Sequence, residues 1–424
     1  MDGATNEIKE SGENLKVTNL KTLKSTLDNL DPKLTSVFLH WALRHPRYLK
    51  TFIRLVQAHK CTERSRTEAL SDGLKIPPFL ILSITPRCNL HCDGCYADAA
   101  GITYHESPDI QAQTKKPLAW KQWRAIIAEA SELGVLCFVI AGGEPFLFPD
   151  LLKLCEEFKD RFFLILTNGT VLTGEDYKRL KHSSNIAVVV SIEGGSELTN
   201  TRRGHGVYER AINTLKQLNR IGVLTGISVT ITRTNYKYWM NAEHIDNLIT
   251  QGVRIGVFIE YIPLTPGSEL PTSLCSSTSD GMSITKNDRA FMLTKEERAV
   301  FRSKILSYRA RKRIYIIHSP GDEEYFGGCV SAGRGFAHIT STGDLTPCPV
   351  SNIATHNLTT ATLREGLASP LFKEIRENEH LLETDSMPCA LFAHPKEVDA
   401  LAKSVGAYRT DIDGRNNFHE KAQK

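Results

Sequence analysis

Three cysteines fall within eight residues of this chain, in the segment Arg87-Cys88-Asn89-Leu90-His91-Cys92-Asp93-Gly94-Cys95-Tyr96. The spacing C-x3-C-x2-C lets one loop curl three thiolates around a common point. Gly94 relieves the backbone between the last two. Thiolates are soft ligands that suit iron–sulfur clusters and zinc. With only three local cysteines, one iron of a four-iron cluster would stay open to a small chelating ligand. A zinc site completed by His91 or a distant residue fits the spacing equally well.

A second set, Cys329, Cys348 and Cys389, comprises the only cysteines after Cys275. Cys329 and Cys348 are spaced C-x13-G-x4-C around Gly343. Phe336–Thr340 and Leu345–Val350 flank Ser341-Thr342-Gly343-Asp344, which reads as a hairpin turn. Folding that hairpin brings Cys348 back toward Cys329, in a segment that Gly327, Gly328, Gly333 and Gly335 leave free to bend. Cys61, Cys137, Cys155 and Cys275 read as structural thiols.

The elements that must position these groups are visible in the hydrophobic pattern. Six apolar, β-branched runs succeed one another: Pro78–Thr85, Val135–Ala141, Phe162–Asn168, Ile186–Glu193, Thr225–Thr232 and Arg254–Ile262. Each is continuous rather than alternating, as in strands buried on both faces of a parallel sheet. Helical stretches separate them. In Pro117–Leu133, Trp123, Ile126, Ile127 and Ala130 recur at helical spacing, and Gly134 follows as a stop. Six β/α units predict a doubly wound sheet or a partial barrel, with ligands beyond the carboxyl ends of the strands. The unusual motifs lie there: the cysteine loop, Gly142-Gly143-Glu144-Pro145, Thr167-Asn168-Gly169-Thr170 and Ser191-Ile192-Glu193-Gly194.

The cysteine loop, with its aromatic Tyr96, resembles the signature of the radical S-adenosylmethionine (SAM) superfamily. Gly142-Gly143-Glu144-Pro145 is similar to that family's second motif, and the resemblance covers roughly residues 77–263. It implies an α/β fold, a partial (β/α)6 TIM-like barrel. It also implies a 4Fe-4S cluster on Cys88, Cys92 and Cys95, whose open iron chelates the amino and carboxylate groups of S-adenosylmethionine. Reductive cleavage would then give a 5′-deoxyadenosyl radical that abstracts hydrogen from a substrate. A low-potential donor, flavodoxin- or ferredoxin-like, is implied with it.

By the same resemblance Gly142, Gly143 and Glu144 meet the methionyl amino group, which two glycines and a carboxylate suit. Ser191 and Glu193 resemble the polar pair that contacts ribose and carboxylate. They also read as a buried hydrogen-bonded pair. Arg203 is placed to reach the cofactor carboxylate or to sit in solvent. Asn168 faces the cofactor or caps a turn, and Tyr96 packs near adenine or shields the cluster. The second cysteine set resembles the start of SPASM and twitch domains, though the full SPASM pattern needs more cysteines. One auxiliary 4Fe-4S cluster on Cys329, Cys348 and Cys389 is the reading. Its fourth ligand is left among His394, His356, an upstream residue and the substrate; zinc or free thiols are the alternatives.

Four regions are expected: a helical basic extension (1–76), the core (77–270), a linker with a helix (271–313) that Thr294 and Glu297 begin as a capping box, and a smaller α+β twitch-like region (314–424). Residues 33–66 carry eight Lys or Arg and one acid, Glu63, mixed with Phe38, Trp41 and Phe52. They read as two short helices broken at Pro46. Packing on the barrel with the basic face in water is the favoured reading; peripheral membrane contact through 33–66 is the other. A net charge of +4 is too mild to argue for nucleic acid. No stretch approaches a membrane span, and the polar first residues lack a signal-peptide core. A cytoplasmic protein is therefore expected, its thiols free rather than paired in disulfides. The function reads as a radical SAM oxidoreductase or maturase acting on a peptide, small-molecule or lipid substrate. The alternative is a non-catalytic zinc- or iron–sulfur-binding regulator.

Overall fold

A computed structural model of the chain describes residues 32–99, 103, 116–263, 288–384 and 387–410. The first thirty residues, Cys275 and most of the Ser/Thr/Pro/Gly-rich stretch after Pro263 lie outside the described residues.

All six apolar runs are strands: β1 (Phe79–Thr85), β2 (Cys137–Gly142), β3 (Phe162–Thr167), β4 (Ile186–Ser191), β5 (Leu224–Ile231) and β6 (Ile255–Glu260). They pair in parallel, each with the next. β4 is buried along its length up to Ser191, as its continuous Ile-Ala-Val-Val-Val demands. The helix Trp120–Leu133 buries Trp123, Ile126, Ile127 and Ala130 and ends on left-handed Gly134. Thr294 and Glu297 form the expected capping box of the helix Lys295–Arg311.

The sheet does not stop at six strands. β7 (Tyr315–Ser319), read from sequence as the start of the second region, pairs in parallel with β6. On the other edge, β8 (Phe336–Ile339) lies parallel to β1, and β9 (Leu345–Thr346) returns antiparallel to β8 around Gly343. The result is one curled, open nine-stranded sheet in the order β7-β6-β5-β4-β3-β2-β1-β8-β9. It is a partial barrel whose last strands come from the region beyond residue 314.

The N-terminal segment forms α1 (Pro32–Arg44) and a long α2 (Arg47–Ser71), so the second helix is not short. Their aromatic residues turn inward. Trp41, Ala42 and Tyr48 pack against Leu164, Ala187, Val189, Leu224 and Val257, with Phe38 beside them. The rings that membrane contact would need are therefore spent on the sheet. The basic residues are not all in water either. Arg47 donates to the carbonyls of Lys181, Ile221 (2.9 Å) and Gly222 (2.6 Å). Arg54 reaches Lys159 (3.3 Å), and Arg66 reaches Gly134 (2.6 Å). These carbonyls lie where chain segments end before β2, β3, β4 and β5. Most of them follow helix C-termini, where unpaired carbonyls and the negative end of the helix dipole favour cations.

Candidate functional site

The cysteine loop leaves the carboxyl end of β1 and closes into a short helix, Tyr96–Ala99. Main-chain bonds shape it: Cys95 N–H to Cys92 O (3.2 Å), Ala99 N–H to Cys95 O (3.0 Å) and Asp93 N–H to Arg202 O (2.9 Å). Gly94 has φ +61°, and a Cβ there would stand 2.8 Å from the Tyr261 ring. Cys88, Cys92 and Cys95 are half-buried, and their charges act on one another. Burial pushes the Cys88 thiol up to about 12. Burial also raises Cys92, opposed by the guanidinium groups of Arg203 and Arg202.

Gly142 and Gly143 let two segments of chain meet closely. A Cβ at Gly143 would stand 2.1 Å from the Arg87 carbonyl, and one at Gly142 (φ +121°) 2.6 Å from that of Thr85. The end of β2 thus lies directly on the root of the cysteine loop, bonded through Gly143 N–H to Thr85 O and Glu144 N–H to Arg87 O, both 2.8 Å.

Glu144 is 1% exposed. Its carboxylate accepts from Phe146 N–H (3.1 Å), Thr167 Oγ1 (2.6 Å) and Asn168 N–H (2.7 Å). It therefore clamps the end of β2 to the end of β3. Burial pushes its pKa up to about 7 against the pull of those bonds. Asn168 both turns its own loop and reaches across it. Its Oδ1 accepts from Thr170 N–H (2.9 Å), and its amide donates to Asn89 Oδ1 (2.9 Å) inside the cysteine loop.

Ser191 and Glu193 do not form a pair with each other. Ser191 Oγ meets Ser228 Oγ at 2.8 Å across β4 and β5. Glu193 lies beyond the end of β4 and is buried beneath two arginines. Its Oε1 accepts from Arg202 Nη1 (2.5 Å) and Arg203 Nε (2.8 Å), and its Oε2 from Thr230 N–H (3.2 Å). Arg203 is thus neither a solvated charge nor an idle one; a buried carboxylate holds it. Arg202, passed over in the sequence, also donates to Gly94 O (3.2 Å) and so ties Glu193 to the cysteine loop. The doubled Arg202-Arg203 was its one visible signal. Tyr96 packs half-buried against the core, and burial raises its hydroxyl pKa.

The donor set suits an iron–sulfur cluster: three thiols on one loop, at the mouth of the barrel, with two arginines beside them to offset thiolate charge. Arg202 and Arg203 anchor the loop, and no helix among the described residues is long and apolar enough to cross a membrane.

The second thiol set also comes together. Cys329, Cys348 and Cys389 are all buried, and the Cys329 and Cys389 charges both act on Cys348. The expected hairpin is what delivers Cys348. His394 and His356 are engaged elsewhere: His394 Nε2 lies 3.0 Å from the Glu383 carbonyl, and His356 Nδ1 lies 3.0 Å from Thr355 Oγ1.

Residues 82–254 match the family model of the radical SAM superfamily. Among curated relatives, the Fe-coproporphyrin III synthase of Methanosarcina barkeri is 29% identical, over 38% of each chain. The sporulation killing factor maturation protein SkfB of Bacillus subtilis is 26% identical over 46% of this chain and 47% of that one. The mycofactocin maturase MftC of Mycobacterium tuberculosis is 26% identical over 73% and 75%. The first of these matches span less than half of the relatives' own length. In fold, the chain is similar to SuiB of Streptococcus suis bound to its precursor peptide SuiA, with TM-score 0.57 and 20% identity over 78% of this chain and 74% of that one.

Proposed function

This chain belongs to the radical SAM superfamily through residues 82–254, and from that premise we propose that it is an enzyme that reductively cleaves S-adenosylmethionine and abstracts hydrogen from a peptide substrate. The observation that carries the reading is the three-thiol loop at the barrel mouth, anchored on the Glu193–Arg202–Arg203 ion pairs. When bound, a four-iron cluster and S-adenosylmethionine supply the electron transfer and the hydrogen-abstracting chemistry.

The residues of the chain prepare the place. Cys88, Cys92 and Cys95 hold the cluster and leave one iron without a protein ligand from the loop. Arg202 and Arg203 lower the cost of thiolate charge at Cys92 and fix the loop's path. Glu144 and the two glycines hold the loop's root against β2 and β3, and the three hydrogen bonds to Glu144 leave an acceptor position on Oε2 for an ammonium. Ser191, Asn168 and Tyr96 line the same end of the barrel and are its candidate contacts to the cofactor. Helices α1 and α2 close the opposite end, so substrate enters by the mouth.

Coverage does not separate the substrate classes, since the mycofactocin maturase aligns over 73% of this chain and an AdoMet-dependent heme synthase over 72%. A peptide is put first because the maturation protein SkfB is also among the relatives and the fold neighbour SuiB is bound to its precursor peptide. The heme synthases among the relatives keep a small molecule as the second reading. Cys329, Cys348 and Cys389 hold an auxiliary cluster in this proposal. A flavodoxin- or ferredoxin-like protein is the proposed donor, and the cytoplasm the proposed location.

The test is anaerobic reconstitution followed by reduction with S-adenosylmethionine present. The wild type should yield 5′-deoxyadenosine. The combined Cys88→Ala, Cys92→Ala and Cys95→Ala variant should yield none. Persistent product in that variant, or a colourless wild type carrying stoichiometric zinc, would overturn the assignment in favour of a regulator.

A further inference from the structure

Three buried thiols and one buried carboxylate converge beside the barrel, and the proposed mechanism leaves the carboxylate without a task. Glu323 lies in the segment after β7, six residues before Cys329. Its side chain is buried and lies within reach of the Cys329 thiol, whose Sγ donates to Ser331 Oγ (3.3 Å). Its charge also reaches Cys348 and Cys389.

Main-chain bonds stitch the three contributing segments together. Gly328 N–H donates to Glu323 O (3.1 Å), which turns the carboxylate's segment back toward Cys329. Cys329 N–H donates to Leu382 O (2.8 Å), upstream of Cys389, and Ala332 N–H to Pro347 O (3.0 Å), next to Cys348. Gly328 has φ +97°, and a Cβ there would stand 2.4 Å from the Leu382 carbonyl, so only glycine fits this crossing. Arg334 grips the same turn through the carbonyls of Cys329 and Phe326.

Gathering four acidic groups away from water is costly unless a cation joins them. Among the described residues, no three His, Cys, Asp or Glu side chains stand close enough to share a single metal ion. A four-iron cubane interposes its own bulk and takes one ligand at each corner.

We propose that Glu323 is the fourth protein ligand of an auxiliary four-iron cluster held by Cys329, Cys348 and Cys389. The inference rests on the reading of the second thiol set as a cluster site. It fills every corner of that cluster from the chain and leaves no iron there for substrate. Carboxylate is a harder ligand than thiolate, so the iron at this corner is the most easily lost.

The experiment starts from the combined Cys88→Ala, Cys92→Ala, Cys95→Ala variant, purified and reconstituted anaerobically. It should bind about four irons, all at the second site. Adding Glu323→Ala should remove about one of them, with a three-iron spectrum in electron paramagnetic resonance after mild oxidation. Adding Glu323→Cys instead should restore four irons and lower the reduction potential. If the starting variant binds no iron, the auxiliary-cluster reading falls and this inference with it. If Glu323→Ala keeps four irons and an unchanged spectrum and potential, the cluster stands and Glu323 is not its ligand. Should Glu323→Ala fail to fold, Glu323→Cys decides: an unchanged potential there overturns the proposal.

Discussion

A carboxylate taken out of water must find its donors inside the protein, and Glu144 finds three from two neighbouring loops. Its raised pKa has a consequence for stability. Between the ordinary value of 4.5 and about 7, the folded chain binds more protons at this group than the unfolded chain does. Its contribution to stability therefore falls as pH rises through that window. Glu144→Gln should abolish this component. It should also destabilise the fold by about 1–3 kcal/mol, because an amide NH2 would face the Asn168 N–H where a carboxylate oxygen accepted. Denaturant titrations of both proteins between pH 4.5 and 7.5 check this. Equal stability at every pH would show that the clamp contributes nothing. The sequence marked Glu144 as special but did not show its partners within the fold. Thr167 and Asn168 stand 23 and 24 residues away, and no local pattern says that their donors meet it. Arg202 was missed for a related reason: two adjacent arginines look alike until the fold points both at Glu193.

Among the elements, the strands were readable and their neighbours were not. Periodicity tells which faces are buried but not which strand lies alongside. The hairpin around Gly343 was expected, yet β8 pairs with β1, more than 250 residues earlier, and β7 with β6. His338 secures the first of these junctions. Its Nε2 meets Ser83 Oγ at 2.7 Å on β1, and its Nδ1 meets Thr346 Oγ1 at 2.8 Å on β9. Burial depresses its pKa from 6.5 to about 3. Between those values the unfolded chain binds more protons, so stability from this junction is present at neutral pH and lost on acidification. The slope is at most roughly 1.4 kcal/mol per pH unit. His338→Gln keeps the hydrogen-bonding capacity but cannot titrate. Its unfolding midpoint should therefore fall less steeply than that of the wild type from pH 6.5 to 4. Parallel declines would exclude His338 as the source.

At the scale of the whole molecule, α1 and α2 make the basic N-terminal segment part of the barrel. Their charge was plain in the sequence, but the carbonyls it serves are assembled only by folding. Arg47→Ala removes donors to three carbonyls from two separate loops. It should cost about 1–3 kcal/mol of stability while leaving cluster iron unchanged. Thermal unfolding and iron analysis would separate that result from a surface role, for which stability would not move. The pairing of β8 with β1 reaches further still. Phe336 stands opposite Phe79, and β9 runs back along β8, so Cys348 returns toward the Phe79 end of β1 while the cysteine loop departs from its Thr85 end. The two thiol sets hang from opposite ends of one seven-residue strand, a span of roughly 20 Å. A hydrogen-bonded strand neither stretches nor hinges. The path between the two proposed clusters is accordingly a spacer of set length, and a substrate arriving at the mouth can change the driving force for an electron's passage but not how far it must travel.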